Sequence, residues 1–142
     1  MDYIVNTPCG PVKGCEGNLP GVAAYKGIRY ATAGRWEYPV QVSHWEGTYD
    51  ATHYGHCSYQ PRSFYNEEEN LKKIFYYNEF RKGETYTYDE DCLFLNVFAP
   101  ADARQGDNLP VLYTSMAADL PAAAATRSIL TAPYGPSTVS SV

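Results

Sequence analysis

Glu90-Asp91-Cys92-Leu93-Phe94-Leu95-Asn96-Val97-Phe98-Ala99-Pro100 is the stretch on which the fold turns. From Leu93 to Ala99 polar breaks are few, and a proline closes the run. A short apolar run bounded in this way reads as a strand buried on both faces. Two carboxylates stand directly before it. Charge at the mouth of a buried strand is costly when unpaired, so these acids need partners from elsewhere in the chain.

Upstream, Tyr3 to Thr7, Val12 to Glu16 and Val22 to Lys26 read as three short strands. Cys9-Gly10-Pro11 and Gly17-Asn18 separate them with turn chemistry, which makes an antiparallel meander. Residues 27 to 62 are rich in Gly, Pro, Tyr and Trp without a sustained period, and read as ordered loop. Asn66 to Lys82 reads as a helix. Asn66 and Glu69 resemble a capping box, and Glu67, Glu68 and Glu69 put negative charge at the positive end of the dipole. Leu71, Ile74 and Phe75 begin an apolar stripe, which Asn78 interrupts and Tyr77 and Phe80 widen. Arg81 and Lys82 follow, and Gly83 can stop the helix. Such a helix could be a mobile cover over a gorge; an amphipathic surface helix in a long insertion is the reading favoured here.

Composition narrows the function classes. Hydrophobic residues make up 44% of the chain and aromatics 15%, enough to build a core. The net charge of −5 argues against a nucleic-acid partner, which needs a basic face. No run of 18 apolar residues exists, so no membrane span is expected. Met1-Asp2-Tyr3 opens without a basic or apolar leader, and the expected location is the cytoplasm.

The decisive run resembles the E-D-C-L-x-L-N-V signature of the type-B carboxylesterases, the carboxylesterase and cholinesterase family of the α/β-hydrolase fold. Further segments are similar to that family in the same order. Gly27-Ile28-Arg29-Tyr30-Ala31 looks like G-I-P-Y-A, with Arg29 where proline is usual. Arg35-Trp36 with Pro39 resembles R-F-x-x-P. Trp45-Glu46-Gly47, Asp50-Ala51-Thr52, Tyr54-Gly55, Cys57 and Gln60 follow the order W-x-G, D-A-T, C-x-x-Q. The resemblance covers residue 3 to Tyr113. It implies an α/β class: the amino-terminal part of an α/β-hydrolase fold, with a small meander, a long loop carrying one helix, and the first strands of the central sheet. The domain is incomplete.

The resemblance also implies roles. The family arginine matching Arg35 pairs with the glutamate matching Glu90, a structural role, so Arg35→Ala is expected to weaken the fold as loss of one partner of a buried pair. The cysteines matching Cys57 and Cys92 often form a disulfide in the family, a bond that could stabilise by about 3–4 kcal/mol. A cytosolic chain would keep them reduced, so the expectation is two neighbouring, unbonded thiols. Cys9 and Cys15 read as small hydrophobes beside a turn. None of the four cysteines has C-x-x-C spacing. His53, His56 and Cys57 invite a metal reading, but the stretch reads as loop without a fourth ligand, so no metal is assigned. His44 reads as packed or exposed.

Type-B esterases need no metal or cofactor. They attack carboxylic esters with a serine in a G-x-S-x-G elbow, activated by histidine and an acid, and hold the developing negative oxygen with an H-G-G-G loop. That loop directly follows a strand beginning L-P-V. Leu109-Pro110-Val111-Leu112-Tyr113 begins such a strand, yet Thr114-Ser115-Met116-Ala117-Ala118-Asp119-Leu120 follows. From Thr114 to Val142 Ala, Ser, Thr and Pro dominate, with Asp119 and Arg127 the sole acid and base, and Ala122 to Ala125 is low complexity.

A reading-frame change accounts for this shift. Met is encoded by ATG and every alanine codon begins GC, so reading one base early across Met116-Ala117 gives GGC, a glycine by necessity. Permitted codons in the same phase read Y-I-H-G-G-G-F from the end of Tyr113 to Leu120. From Leu120 to Ser141 that phase can continue with charges and aromatics restored. A natural Ala-rich linker or disordered tail is the competing reading, and it fits poorly between a strand and its loop.

The sequence therefore divides into 1–113, an amino-terminal carboxylesterase portion, and 114–142, an aberrant tail expected to be disordered. No catalytic, cofactor-binding or metal-binding residue is assigned. Ser140 and Ser141 lack flanking glycines. The expected function is that of a truncated ester-hydrolase fragment without activity of its own. Two alternatives are a β-rich binding module using some of the 14 tyrosines, and a piece completed by a separately translated carboxy-terminal part.

Overall fold

The computed structural model describes residues 3–60, 69, 71–72, 74–80, 82–83 and 85–113. Its organising element is the meander β1 (Tyr3–Thr7), β2 (Gly10–Glu16) and β3 (Val22–Arg29). β1 and β2 pair antiparallel from Tyr3↔Gly14 to Thr7↔Gly10. The turn between them is fixed locally: Cys9 N–H donates to Thr7 Oγ1 (3.2 Å) and the Thr7 hydroxyl donates to the Gly10 carbonyl (2.8 Å). Gly10 has φ +129°, a conformation that L side chains rarely adopt.

The expected strands therefore form, with two differences in extent. β2 begins at Gly10, and β3 continues past Lys26 to Arg29. A register shift between Tyr25 and Ile28, around Gly27 at φ +62°, lets β3 continue. A bulge of this kind breaks the period of two that marks a strand in sequence.

The stretch expected to be loop holds three two-residue strands: β4 (Ala31–Thr32), β5 (Val40–Gln41) and β6 (Tyr49–Asp50). β4 pairs with β5, while β6 runs parallel to β2 with Val12 opposite Tyr49. Ala51 ties this loop to the sheet, donating to the Lys13 carbonyl (2.8 Å) and accepting from Lys26 N–H (2.7 Å). The core forms here. Val12, at 1% exposure, packs with Ala23, Tyr25 and Ala51, flanked by Tyr3, Ile28, Trp45 and Tyr49.

The helix is shorter than its sequence pattern. α1 spans Ile74–Phe80, while Glu69, Leu71 and Lys72 lie in turns. Asn66, Glu67 and Glu68, the expected cap, lie outside the described residues. Gly83 does sit past the helix end at φ +86°, and Lys82 N–H donates to the Tyr77 carbonyl (2.8 Å). Leu71 and Phe75 are exposed while Ile74 and Tyr77 are half-buried, so the described part of the apolar stripe is only partly covered. Helical periodicity marks a face able to bury itself and says nothing about what covers it.

β7 (Phe94–Pro100) pairs antiparallel with β3, from Val22↔Pro100 to Arg29↔Phe94, and ends the sheet order β1-β2-β3-β7. The strand forms where expected, but burial on both faces does not: Leu95 is 38% and Val97 42% exposed. Among the described residues, the face that carries them is only partly covered. The segment 109–113 forms no strand either, and Val111, Leu112 and Tyr113 are exposed. A strand needs a partner to satisfy its backbone groups, and the described residues place none beside this segment. The segment 114–142 lies outside the described residues. Among the described residues, no helix is long and apolar enough to cross a membrane.

Candidate functional site

The charged entrance to β7 is where the candidate residues meet. Asp91 N–H donates to Asp89 Oδ1 (2.9 Å), which bends the chain just before the strand. The bend turns Glu90 and Asp91 toward two arginines. Arg35 binds Glu90 with two contacts, Nη2 to Oε1 and Nε to Oε2 (3.2 Å). The hydrogen bond holds the Glu90 carboxyl below its ordinary pKa and raises Arg35 above its own. The side chains are 65% and 50% exposed, so this is a surface pair. That corrects the expectation of a buried pair, because water and salt screen it and little stability depends on it.

Asp91 has its own arginine. Arg29 Nη1 pairs with Asp91 Oδ1, and its guanidinium lies 4.9 Å from the centre of the Phe94 ring. These side chains are 32% and 37% exposed, more sheltered than the first pair. The sequence reading missed this contact. The signal is present in the sequence, since two adjacent acids each need a partner and the family pattern supplies one for Glu90 alone.

No disulfide joins Cys57 and Cys92; Cys57 is buried and Cys92 half-buried. The backbone brings their segments together: Cys57 N–H donates to the Thr87 carbonyl (2.8 Å), and Asp89 N–H donates to the Cys57 carbonyl (3.0 Å). Burial pushes the Cys92 thiol above its ordinary pKa, and the nearby carboxylates Glu90, Asp91 and Asp89 add to the shift. Such a thiol is a poor nucleophile at neutral pH.

Tyr49 forms a second polar junction. Its hydroxyl donates to the Gly27 carbonyl (2.8 Å) and accepts from Arg29 N–H (3.2 Å), while its ring packs 4.9 Å from that of Trp45. Gly27 N–H donates to Asn96 Oδ1 (2.8 Å), so β3, β6 and β7 all meet at the bulge. His44, His53 and His56 are exposed, and His56 lies edge-on to Phe94 (6.1 Å). No group of three or more His, Cys, Asp or Glu arranged to hold a metal occurs among the described residues.

This constellation fixes the approach to a strand, and its groups anchor backbone. The same stretches carry the likeness to known proteins. The profile described as "Carboxylesterase family" matches residues 1–114, four fifths of the chain. The chain belongs to the carboxylesterase family. Among its relatives, para-nitrobenzyl esterase of Bacillus subtilis is 38% identical over 113 residues, a match covering 77% of this chain and 20% of that one. Liver carboxylesterase 1 of Mus musculus is 31% identical over 117 residues, with the same coverage. A solved PNB esterase structure superposes with a TM-score of 0.50 at 36% identity, covering 71% of this chain and 19% of the other. The strand-rich fold is thus the amino-terminal part of a carboxylesterase α/β-hydrolase fold. The chain spans about a fifth of the length of the curated relatives it matches.

Proposed function

We propose that residues 1–113 are the amino-terminal portion of a type-B carboxylic-ester hydrolase, that 114–142 is read out of frame, and that the chain as written does not turn over esters. One observation carries this reading: the family match stops at residue 114, where the composition changes and an oxyanion loop is due. The intact family acts on carboxylic esters through serine, histidine and an acid, with backbone N–H groups around the oxyanion. Residues 1–113 carry scaffold, with Arg35, Glu90, Cys57 and Cys92 in structural roles. The shifted phase supplies the missing H-G-G-G with one added base. The nucleotide sequence around the Tyr113 codon tests this directly. An in-frame H-G-G-G after one inserted base, then G-x-S-x-G downstream, is the expected result; a gene alanine-rich in its only open phase overturns it. In a chromogenic short-chain ester assay the chain is expected to match a no-protein control, and turnover surviving repurification refutes the inactivity.

A second reading has its own support. Trp36 and Tyr38 are exposed in the loop before β5, Val40 is exposed at its start, and Leu95 and Val97 are open on β7. Exposed apolar groups of this kind suit a chain completed by the remaining part of an esterase domain. Recovery of hydrolysis on mixing with a carboxy-terminal polypeptide of the family supports complementation; lack of recovery at saturating partner removes it. The net negative charge supports partners other than nucleic acid.

A further inference from the structure

Arg29 and Phe94 face each other across the sheet, the last residue of β3 opposite the first of β7. Three contacts converge on Arg29. Its guanidinium pairs with Asp91 and lies over the Phe94 ring, while its backbone N–H donates to Tyr49 Oη (3.2 Å). Proline, usual at this place in the family segment, has neither the N–H nor the charge to make any of them.

The position matters because the ladder is irregular just before it. Regular pairing runs from Val22↔Pro100 to Tyr25↔Val97, then shifts, and resumes at Ile28↔Leu95 and Arg29↔Phe94. Pairs on the far side of a bulge do not dictate the register beyond it. A slip of one residue there would turn Phe94 and Leu95 to opposite faces. Something specific must hold the last two pairs.

Phe94 supplies the seat. On one side lies the Arg29 guanidinium. On another lies Gly55, where an added Cβ would collide with the Phe94 ring. His56 meets the ring edge-on. Asp91 anchors the guanidinium from the segment leading into the strand, and the Arg29–Asp91 pair, though still in contact with water, is screened less than Arg35–Glu90. A cation over a ring is attractive only while it stays over the ring, so the contact reports register.

We propose that Arg29 and Asp91 form a clasp, seated on Phe94, that sets the register of β7 on β3 beyond the bulge. This goes beyond the esterase reading, since it concerns how this chain holds its strand, and it stands or falls separately from hydrolysis.

The test uses hydrogen exchange and NMR on the full 142-residue chain. Arg29→Met keeps the stem and the backbone N–H but removes the charge; Asp91→Asn removes its partner's. Each is expected to speed exchange of the β7 amides about tenfold, the scale of one charge-assisted hydrogen bond. The double variant is expected to match either single variant, because the two groups act through one contact. Arg29→Lys should fall between parent and Arg29→Met. The β1–β2 amides are expected to stay within about twofold. Cross-strand contacts between Ile28 and Leu95 should weaken while those between Ala23 and Ala99 persist. Unchanged β7 exchange in Arg29→Met, additive effects in the double variant, or equal loosening of β1–β2 overturns the clasp. So does β7 exchanging in the parent chain as fast as the exposed 102–107 loop.

Discussion

Around Val12 the sheet is closed, whereas along β7 it is open. Val12 has the parallel strand β6 beside it and packs against Ala23, Tyr25 and Ala51, so its side chain is out of water. Leu95 and Val97 are equally apolar and also sit in a strand, yet both remain exposed. Short-range turns build the first region, and loop 42–57 folds back onto it: Trp45 N–H donates to the Cys9 carbonyl (2.9 Å), and Ala51 is hydrogen-bonded to both β2 and β3. β7 has β3 beside it and two arginines at its entrance. An apolar strand thus gains stability only from what lies against it, and the described residues supply that more fully for one half of the sheet than for the other.

The largest effect expected from a single change falls at the junction of the two regions. Gly27 has φ +62°, and a Cβ there would lie 2.6 Å from both Gly55 N and the His53 carbonyl. Backbone cannot retreat as a flexible side chain can. Gly27→Ala is expected to destabilise by about 3 kcal/mol or more, read as a lower urea midpoint, and to free β7 from β3. An unchanged midpoint would mean that the bulge does not join the regions.

Paired truncations measure the contrast itself. Val12→Ala is expected to cost about 2 kcal/mol, while Leu95→Ala should stay within about 0.5 kcal/mol. Equal costs in denaturant titrations would show that β7 is covered in solution. Tyr49→Phe comes next, at about 1–1.5 kcal/mol, because it leaves the Gly27 carbonyl and the Arg29 N–H without their hydroxyl partner.

Arg35→Ala is expected to have the smallest effect, and one that vanishes at high salt. Its pH dependence has a definite sign. The folded state lowers the Glu90 pKa through Arg35, so any stabilisation is present above the ordinary glutamate range and is lost as pH falls through the lowered value. A parent-minus-variant difference that grows as pH falls would contradict this assignment.

Sequence legibility follows the same division. The strands around Cys9-Gly10-Pro11 and Gly17-Asn18 were readable because turn chemistry and alternation are local. β3 beyond Lys26 was not, because Gly27 breaks the alternation and only pairing with β7 restores it. β6 was hidden in a loop-like stretch, since two residues carry no period. The partners of Glu90 and Asp91 show both outcomes. Arg35 was named through the family pattern; Arg29 was passed over because it stands where that pattern has proline. The segment 109–113 kept the apolar look of a strand without becoming one.

The sequence alone determined ancestry, the turns of the meander, the position of β7, and the point after Tyr113 where the family pattern stops. Each is written in neighbouring residues: allowed backbone angles, alternation and motif order. Only the tertiary structure decided that Arg29 meets Asp91, across 62 residues, and that both arginine–acid pairs keep contact with water. It alone decided that β7 is buried less than its composition suggests. Burial and screening depend on what folds back from elsewhere in the chain, and no local pattern encodes that neighbour.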